Sequence, residues 1–270
     1  MTDIRKMLDT GEPYWSFCRE EPNLAAVLYH MLLCGDNLER FCRAVDYRPR
    51  LSDPAVYFEY AYLRDLWFCI GGTHKGSDDL QSANARKREV IIKLLKPSVA
   101  DYLAFCTVVE FNHHFGAVPQ ASTWRIQSPS TWSLKNFRET ITHPDDFYLT
   151  CLFKWSFNAK PDIVIHADQD HALCIEAKLE SGEGQYPTSS TEKAIFDDLS
   201  LRHVSQTQLQ KYLMENLLGI ETEFLMLLPK VTKHATEHRM VTWAAAFAAL
   251  DLEGQPSFVN AWAKRVLELG

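Results

Sequence analysis

Three side chains near the middle of the chain have types and spacing that could do chemistry: Asp162, Glu176 and Lys178, in the stretch 160–185, KPDIVIHADQDHALCIEAKLESGEGQ. Two carboxylates gathered in one place can hold a hard divalent cation through oxygen, and an ammonium beside them can offset charge that builds on an oxyanion. They can meet only if the chain folds back on itself. Residues 161–167 and 171–179 are rich in Val, Ile and Leu, and Asp168-Gln169-Asp170 between them is a turn signal, so the stretch reads as a hairpin. Alternation puts Leu173, Ile175, Ala177 and Leu179 on one face of the second strand, and Glu176 and Lys178 on the other. Asp162 follows Pro161 at the mouth of the first strand, where pairing brings it near Glu176. The ordinary alternative is a solvated strand face carrying surface charges.

Pro161-Asp162 followed by Glu176-Ala177-Lys178 resembles the PD-(D/E)xK nuclease superfamily, whose signature is an acidic residue and then a downstream acid-x-lysine. A third element follows in the same order. Gln208-Leu209-Gln210-Lys211-Tyr212 is similar to the Q-x-x-x-Y helix motif of the RecB-like branch, and its Gln and Tyr at i and i+4 share one helical face. Taken alone, that segment reads better as an amphipathic helix with a buried Tyr; in this order, after the strand pair, it does not.

The resemblance implies an α/β, restriction-endonuclease-like mixed sheet flanked by helices, and a metal-dependent hydrolysis of phosphodiester bonds. It implies Mg²⁺, with Mn²⁺ as a substitute, held by Asp162, Glu176 and the backbone carbonyl of Ala177. Lys178 would position water or stabilise developing charge, and would touch substrate. Gln208 would orient water or a metal ligand, and Tyr212 would contact the substrate backbone or pack. The opening helix in this superfamily often carries a further acid; Glu21 matches best, with Glu20 next, and both equally suit a helix amino terminus as favourable charges. The implied substrate is nucleic acid, DNA in preference to RNA, in restriction, repair or phage defence, with a protein partner or a homodimer where both strands are cut.

Composition bounds these expectations. A chain of 270 residues, 46% hydrophobic, can bury one sizeable core together with an inserted subdomain. No apolar signal region opens the chain and no run of about 18 apolar residues occurs, which predicts no membrane association and a cytoplasmic setting. Seven scattered cysteines without a C-x-x-C pair fit buried thiols in a reducing compartment. The net charge of −7 runs against the basic face expected of a nucleic-acid binder. Arg86, Lys87, Arg88, Lys93 and Lys96 form the densest basic cluster, readable as part of a basic groove or as one solvated helix face.

The elements that must position the three residues follow in order. Leu24, Val27, Leu28, Met31 and Leu32 make one helical stripe, with Pro22 in its first turn and Gly35 at its end. Residues 48–146 read as a mostly helical insertion packed on a nuclease-like core of 1–47 and 147–270. Ser52-Asp53-Pro54 predicts a helix start before the aromatic run VYFEYAYLRDLWF; helical patterns resume over 80–95 and 99–115, with a short helix near 133–141. Residues 147–157 alternate and predict a strand, 179–198 a loop, 223–228 a buried strand, 240–243 a last strand, and 244–250 and 258–269 closing helices.

Two rival readings come from other classes. His234-Ala235-Thr236-Glu237-His238 matches the H-x-x-E-H pattern of a zinc hydrolase, in which His234 and His238 hold metal and Glu237 acts as base. That pattern needs a stable helix, and here it lies between Pro229 and a strand-like run. The other is a catalytically silent nuclease-like module for binding or assembly, whose mark would be loss of Asp162, Glu176 or Lys178. His113-His114 at the end of a helical run reads as a satisfied pair. No G-x-x-x-x-G-K loop is present, so nucleotide-driven work by this chain is not expected.

Overall fold

The computed structural model describes residues 20–72, 74–95, 106–117, 124–179, 182–230 and 238–268. In chain order the first elements are α1 (Glu21–Leu32), α2 (Asn37–Ala44), β1 (Ala55–Phe58), α3 (Tyr62–Cys69), α4 (Leu80–Leu94), α5 (Val108–Phe115) and α6 (Leu134–Thr140). They are followed by α7 (Pro144–Ser156), β2 (Ile163–His166), β3 (His171–Ala177), β4 (Gln185–Tyr186), α8 (Ser190–Asp198), β5 (Val204–Ser205) and α9 (Gln206–Lys211). A π-helical turn at Tyr212–Leu217 leads into β6 (Glu221–Leu228), β7 (Arg239–Thr242), α10 (Trp243–Ala248) and α11 (Ser257–Glu268). The chain groups into two compact units. One comprises the segments up to Tyr60, Pro161–Gly182 and from Ile220 onward; the other comprises Ala61–Lys160 and Glu183–Gly219.

The first unit is a mixed α/β sheet of five strands in the order β1-β2-β3-β6-β7, flanked by helices. β1, β2 and β3 form an antiparallel meander, whereas β6 runs parallel to β3 and β7 parallel to β6. The hairpin expected over 161–179 is β2 and β3, and its turn is closed by the Asp168 carboxylate, which accepts from the backbone N–H of Asp170 and of His171, each at 2.9 Å. One sheet face carries Ile163, Ile165, Leu173, Ile175, Leu225 and Leu227, buried in a single cluster with Leu24, Leu28 and Met31 of α1, Phe41 of α2, Trp243 of α10 and Trp262 of α11. The period-2 pattern of β2 and β3 and the 3.6-period stripe of α1 thus bury against each other. β6, β7, α10 and α11 fall within two residues of the predicted positions.

Residues 52–58 depart from expectation. Ser52-Asp53-Pro54 does not start a helix; Ala55–Phe58 is a strand pairing antiparallel with β2, Phe58 opposite Ile163, and helix begins only at Tyr62. Val56, Tyr57 and Phe58 favour the strand, and Pro54 just before it suits an edge strand that has no ladder bond to lose.

The second unit is helical around an aromatic core. Phe115 stacks on Phe111 at 5.1 Å between centroids and lies 4.9 Å from Trp132; rings of Phe137, Phe147, Phe153 and Phe196 continue the cluster. Residues 147–157, predicted as a strand, are helical: Phe147 to Ser156 belong to α7 and Phe157 is its C-cap. Alternating Phe147, Leu149, Cys151, Phe153 and Trp155 imitate a strand, but every residue from Thr150 to Ser156 is buried, so all-round burial of the helix's second half erases the one-sided period. Pro144 in its first turn with Asp145 and Asp146 are the start signals that decide it. Residues 179–198, predicted as a loop, contain β4 and α8, the latter capped by the Ser189 hydroxyl, which accepts from Glu192 N–H at 3.2 Å.

Of the seven cysteines, Cys18 lies outside the described residues; of the other six, Cys42, Cys106, Cys151 and Cys174 are buried. The basic cluster over 86–96 is not one solvated face, because Lys87 turns inward and is 3% exposed; Lys96 lies outside the described residues. No described helix is long and apolar enough to cross a membrane.

Candidate active site

β2 and β3 pair with Ile163 opposite Ile175, and one further step of that register sets Asp162 opposite Glu176. Asp162 is turned back onto the far end of β3, where its Oδ2 accepts from the backbone N–H of Ala177 at 2.7 Å. Its own carbonyl accepts from Glu59 N–H at 2.8 Å, so the residue is held by the outgoing end of β1 as well. Glu176 is 2% exposed and its Oε1 accepts from Lys178 Nζ at 2.6 Å. The expected juxtaposition of Asp162, Glu176 and Lys178 is therefore present.

Long-range contacts fix the backbone that carries Lys178. Its N–H donates to Leu227 O of β6 at 2.9 Å, extending the parallel ladder past the end of β3. Its carbonyl accepts from the indole N–H of buried Trp243 at 2.9 Å. Leu179 N–H donates to Glu21 Oε1 at 2.8 Å, which ties the first turn of α1 to the acid-x-lysine segment. Glu21 thus lies close enough for its charge to act on Asp162 and Lys178. Trp243 carried no signal of this kind in the sequence, where it read as the last residue of the strand 240–243; it opens α10 instead.

The electrostatics follow from crowding. Burial, and then the charge of Glu176, push the Asp162 carboxyl up to about 7, with Glu21 adding to the rise, while the Ala177 N–H and Lys178 oppose it. Burial pulls the Lys178 ammonium down, but Glu176, together with Glu21 and Asp162, raises it above its ordinary value. Lys178 therefore remains a cation, suited to stabilising charge rather than to removing a proton.

The raised Asp162 carboxyl gives a stability signature. Between about pH 4 and about pH 7 the folded protein keeps a proton that the unfolded chain has released, so stability falls as pH rises through that window. In metal-free buffer Asp162→Asn should be more stable than wild type at pH 8 by on the order of 2–4 kcal/mol, with the gap closing at pH 4.5. Urea unfolding at the two pH values measures it; a gap that does not change with pH would show that Asp162 is not the titrating group.

Gln208 and Tyr212 lie in the second unit. Ser205 caps α9: its hydroxyl accepts from Gln208 N–H at 3.2 Å and the Gln208 Oε1 accepts from Ser205 N–H at 3.1 Å, a reciprocal capping box. Tyr212 stands where α9 passes into the π-helical turn, its phenol pushed up to about 12 by burial. His234 and Glu237 lie outside the described residues, and His238 packs on Phe224 at 5.7 Å between centroids. His113 and His114 sit edge to face at 5.2 Å, with His114 Nδ1 2.9 Å from the Thr140 hydroxyl. Among the described residues, no three His, Cys, Asp or Glu side chains are grouped as a ready ligand set. Comparison with known protein families, curated proteins and solved structures finds no match for this chain.

Proposed function

We propose that this chain is a metal-dependent nuclease that hydrolyses phosphodiester bonds, of DNA in preference to RNA, on a restriction-endonuclease-like fold. The observation that carries the reading is the convergence of Asp162, Glu176 and Lys178 at the end of β3, with Glu21 hydrogen-bonded to the next residue along. An opening helix bearing an acid, an antiparallel meander and then a parallel strand agree with the resemblance carried by the motifs.

A divalent cation fits this site because Asp162 is crowded by the Glu176 and Glu21 charges; a cation there would relieve the repulsion that lifts its carboxyl to about 7. Asp162 and Glu176 would hold Mg²⁺ or Mn²⁺, joined by the Ala177 carbonyl as the resemblance implies. The bound ion would polarise the phosphate and activate water. Lys178 supplies a buried positive charge, its main chain anchored to Leu227, where charge develops on phosphate oxygens. Glu176 orients that ammonium. Glu21 fixes the segment that follows, as a positioning residue.

Two measurements test the reading. The protein should cleave single- or double-stranded DNA when Mg²⁺ or Mn²⁺ is supplied and stop when EDTA is added. Millimolar Mg²⁺ should also raise the unfolding temperature of wild type and leave that of Asp162→Asn unmoved. Absence of both effects on a panel of DNA and RNA substrates would replace the nuclease reading with the silent binding module.

A further inference from the structure

The second unit holds a cavity of about 330 Å³ that the proposed nuclease chemistry does not use. Arg64, Trp67 and Phe68 line it from one face of α3, Lys87 from α4, and Arg125 and Ser130 from the segment before α6. The i, i+3, i+4 spacing on α3 is what brings a cation and two aromatic rings to the same wall.

Lys87 is the unusual member. Its ammonium is buried, donates to the Gly71 carbonyl at 2.6 Å and lies 5.3 Å from the centroid of the Trp67 ring. Among the described residues no carboxylate lies within ion-pair distance of it. Burial first, and the nearby Arg125 charge second, pull it below the ordinary lysine value, while Asp79 pulls the other way. Arg125 itself lies over the Trp124 ring at 5.0 Å. Among the described residues Arg64 pairs with its neighbour Asp65, at 3.5 Å with both side chains mostly exposed, a contact that a stronger anion displaces readily. Three cations, Arg64, Lys87 and Arg125, thus line one cavity, and an anion entering it is met by guanidinium groups that match phosphate oxygens in pairs.

The aromatic wall narrows the class of anion. Phe68 is 73% exposed at the cavity edge, a flat apolar surface unusual in a residue of its size. A planar base stacks on such a ring, and the Ser130 hydroxyl lies on the wall for polar contact. The volume falls at the small end of about 300–1,000 Å³ for small-molecule sites, the scale of one nucleotide rather than of a duplex. We infer that this cavity is a nucleotide site, with the phosphate on Arg64, Arg125 and Lys87 and the base against Phe68. The nucleotide is either free or the 5′-phosphorylated end of a strand, two sources with the same chemistry. The inference stands apart from the Asp162 site and from any metal.

Calorimetric titration of the full chain in EDTA tests it, with adenosine 5′-monophosphate, adenosine, inorganic phosphate, and 5′-phosphorylated and 5′-hydroxyl oligothymidylate as probes. The monophosphate should bind wild type and Asp162→Asn alike, and Arg125→Gln and Phe68→Ala should each weaken it at least about 10-fold with unchanged unfolding temperature. Phe68→Ala alters an exposed side chain and keeps the test open if Arg125→Gln does not fold. Displacement of the monophosphate by the 5′-phosphorylated oligonucleotide, and not by its 5′-hydroxyl twin, assigns the ligand as a strand end; binding of the monophosphate without such displacement assigns a free nucleotide. The inference is overturned if the monophosphate does not bind, if adenosine or inorganic phosphate binds as well as the monophosphate, if Asp162→Asn abolishes binding, or if Phe68→Ala binds as wild type does.

Discussion

Lys178→Met is expected to lower Mg²⁺-supported cleavage of DNA by at least about 100-fold, the loss typical of removing one preorganised group aimed at developing charge. Among the described residues, its neighbours in the cluster, Asp162, Glu176 and Glu21, are acids that cannot take its place. Stability should move as well. Lys178 is 8% exposed and its ammonium lies 2.6 Å from Glu176 Oε1, so the substitution leaves a buried carboxylate without its cation and should cost about 3–5 kcal/mol at pH 8. The double variant Lys178→Met/Glu176→Gln separates the two effects. Neutralising both partners should restore most of the stability and none of the activity. Single-turnover cleavage and urea unfolding read the two quantities on the same preparations; cleavage by folded Lys178→Met at the wild-type rate would remove Lys178 from the reaction.

Phe115→Ala should destabilise the second unit by about 3–5 kcal/mol, the range for truncating a fully buried aromatic side chain. The ring is fully buried and joins three others: Phe111, stacked at 5.1 Å, Trp132 at 4.9 Å and Phe137 at 6.1 Å. Truncation removes the apolar area of a whole aromatic side chain and leaves a void that these rigid rings cannot close. Phe115→Leu should recover much of the loss by refilling the volume. Urea unfolding of wild type and variant, followed by far-ultraviolet circular dichroism, measures the loss. A loss under about 1 kcal/mol in Phe115→Ala would mean that the site collapses readily and that the aromatic cluster is not the unit's core.

The hairpin and its three charged residues were legible because everything that specifies them is local. Alternating Val, Ile and Leu, an Asx turn at Asp168 and a pairing register counted from that turn bring Asp162 opposite Glu176 without reference to the rest of the chain. The stripe of α1 and the strands β6 and β7 were legible for the same reason, since each has one buried face or a short apolar run bounded by breakers. Residues 147–157 and 52–58 depart from the local pattern where burial or sheet pairing overrides it: the second half of α7, Thr150–Ser156, is buried all round and so loses the helical period, and β1 owes its conformation to β2, more than 100 positions downstream.

What the sequence determined by itself about the candidate site is which side chains carry its charge, and that two of them share one strand. Only the tertiary structure decided what state they are in. Glu21 reaches the site across 158 positions of chain, Trp243 across 65, and Lys87 leaves its run of surface cations for a cavity wall. A carboxyl lifted to about 7 and an ammonium held charged depend on how many other charges lie nearby and how much water is excluded, and both are properties of packing between segments distant in the chain.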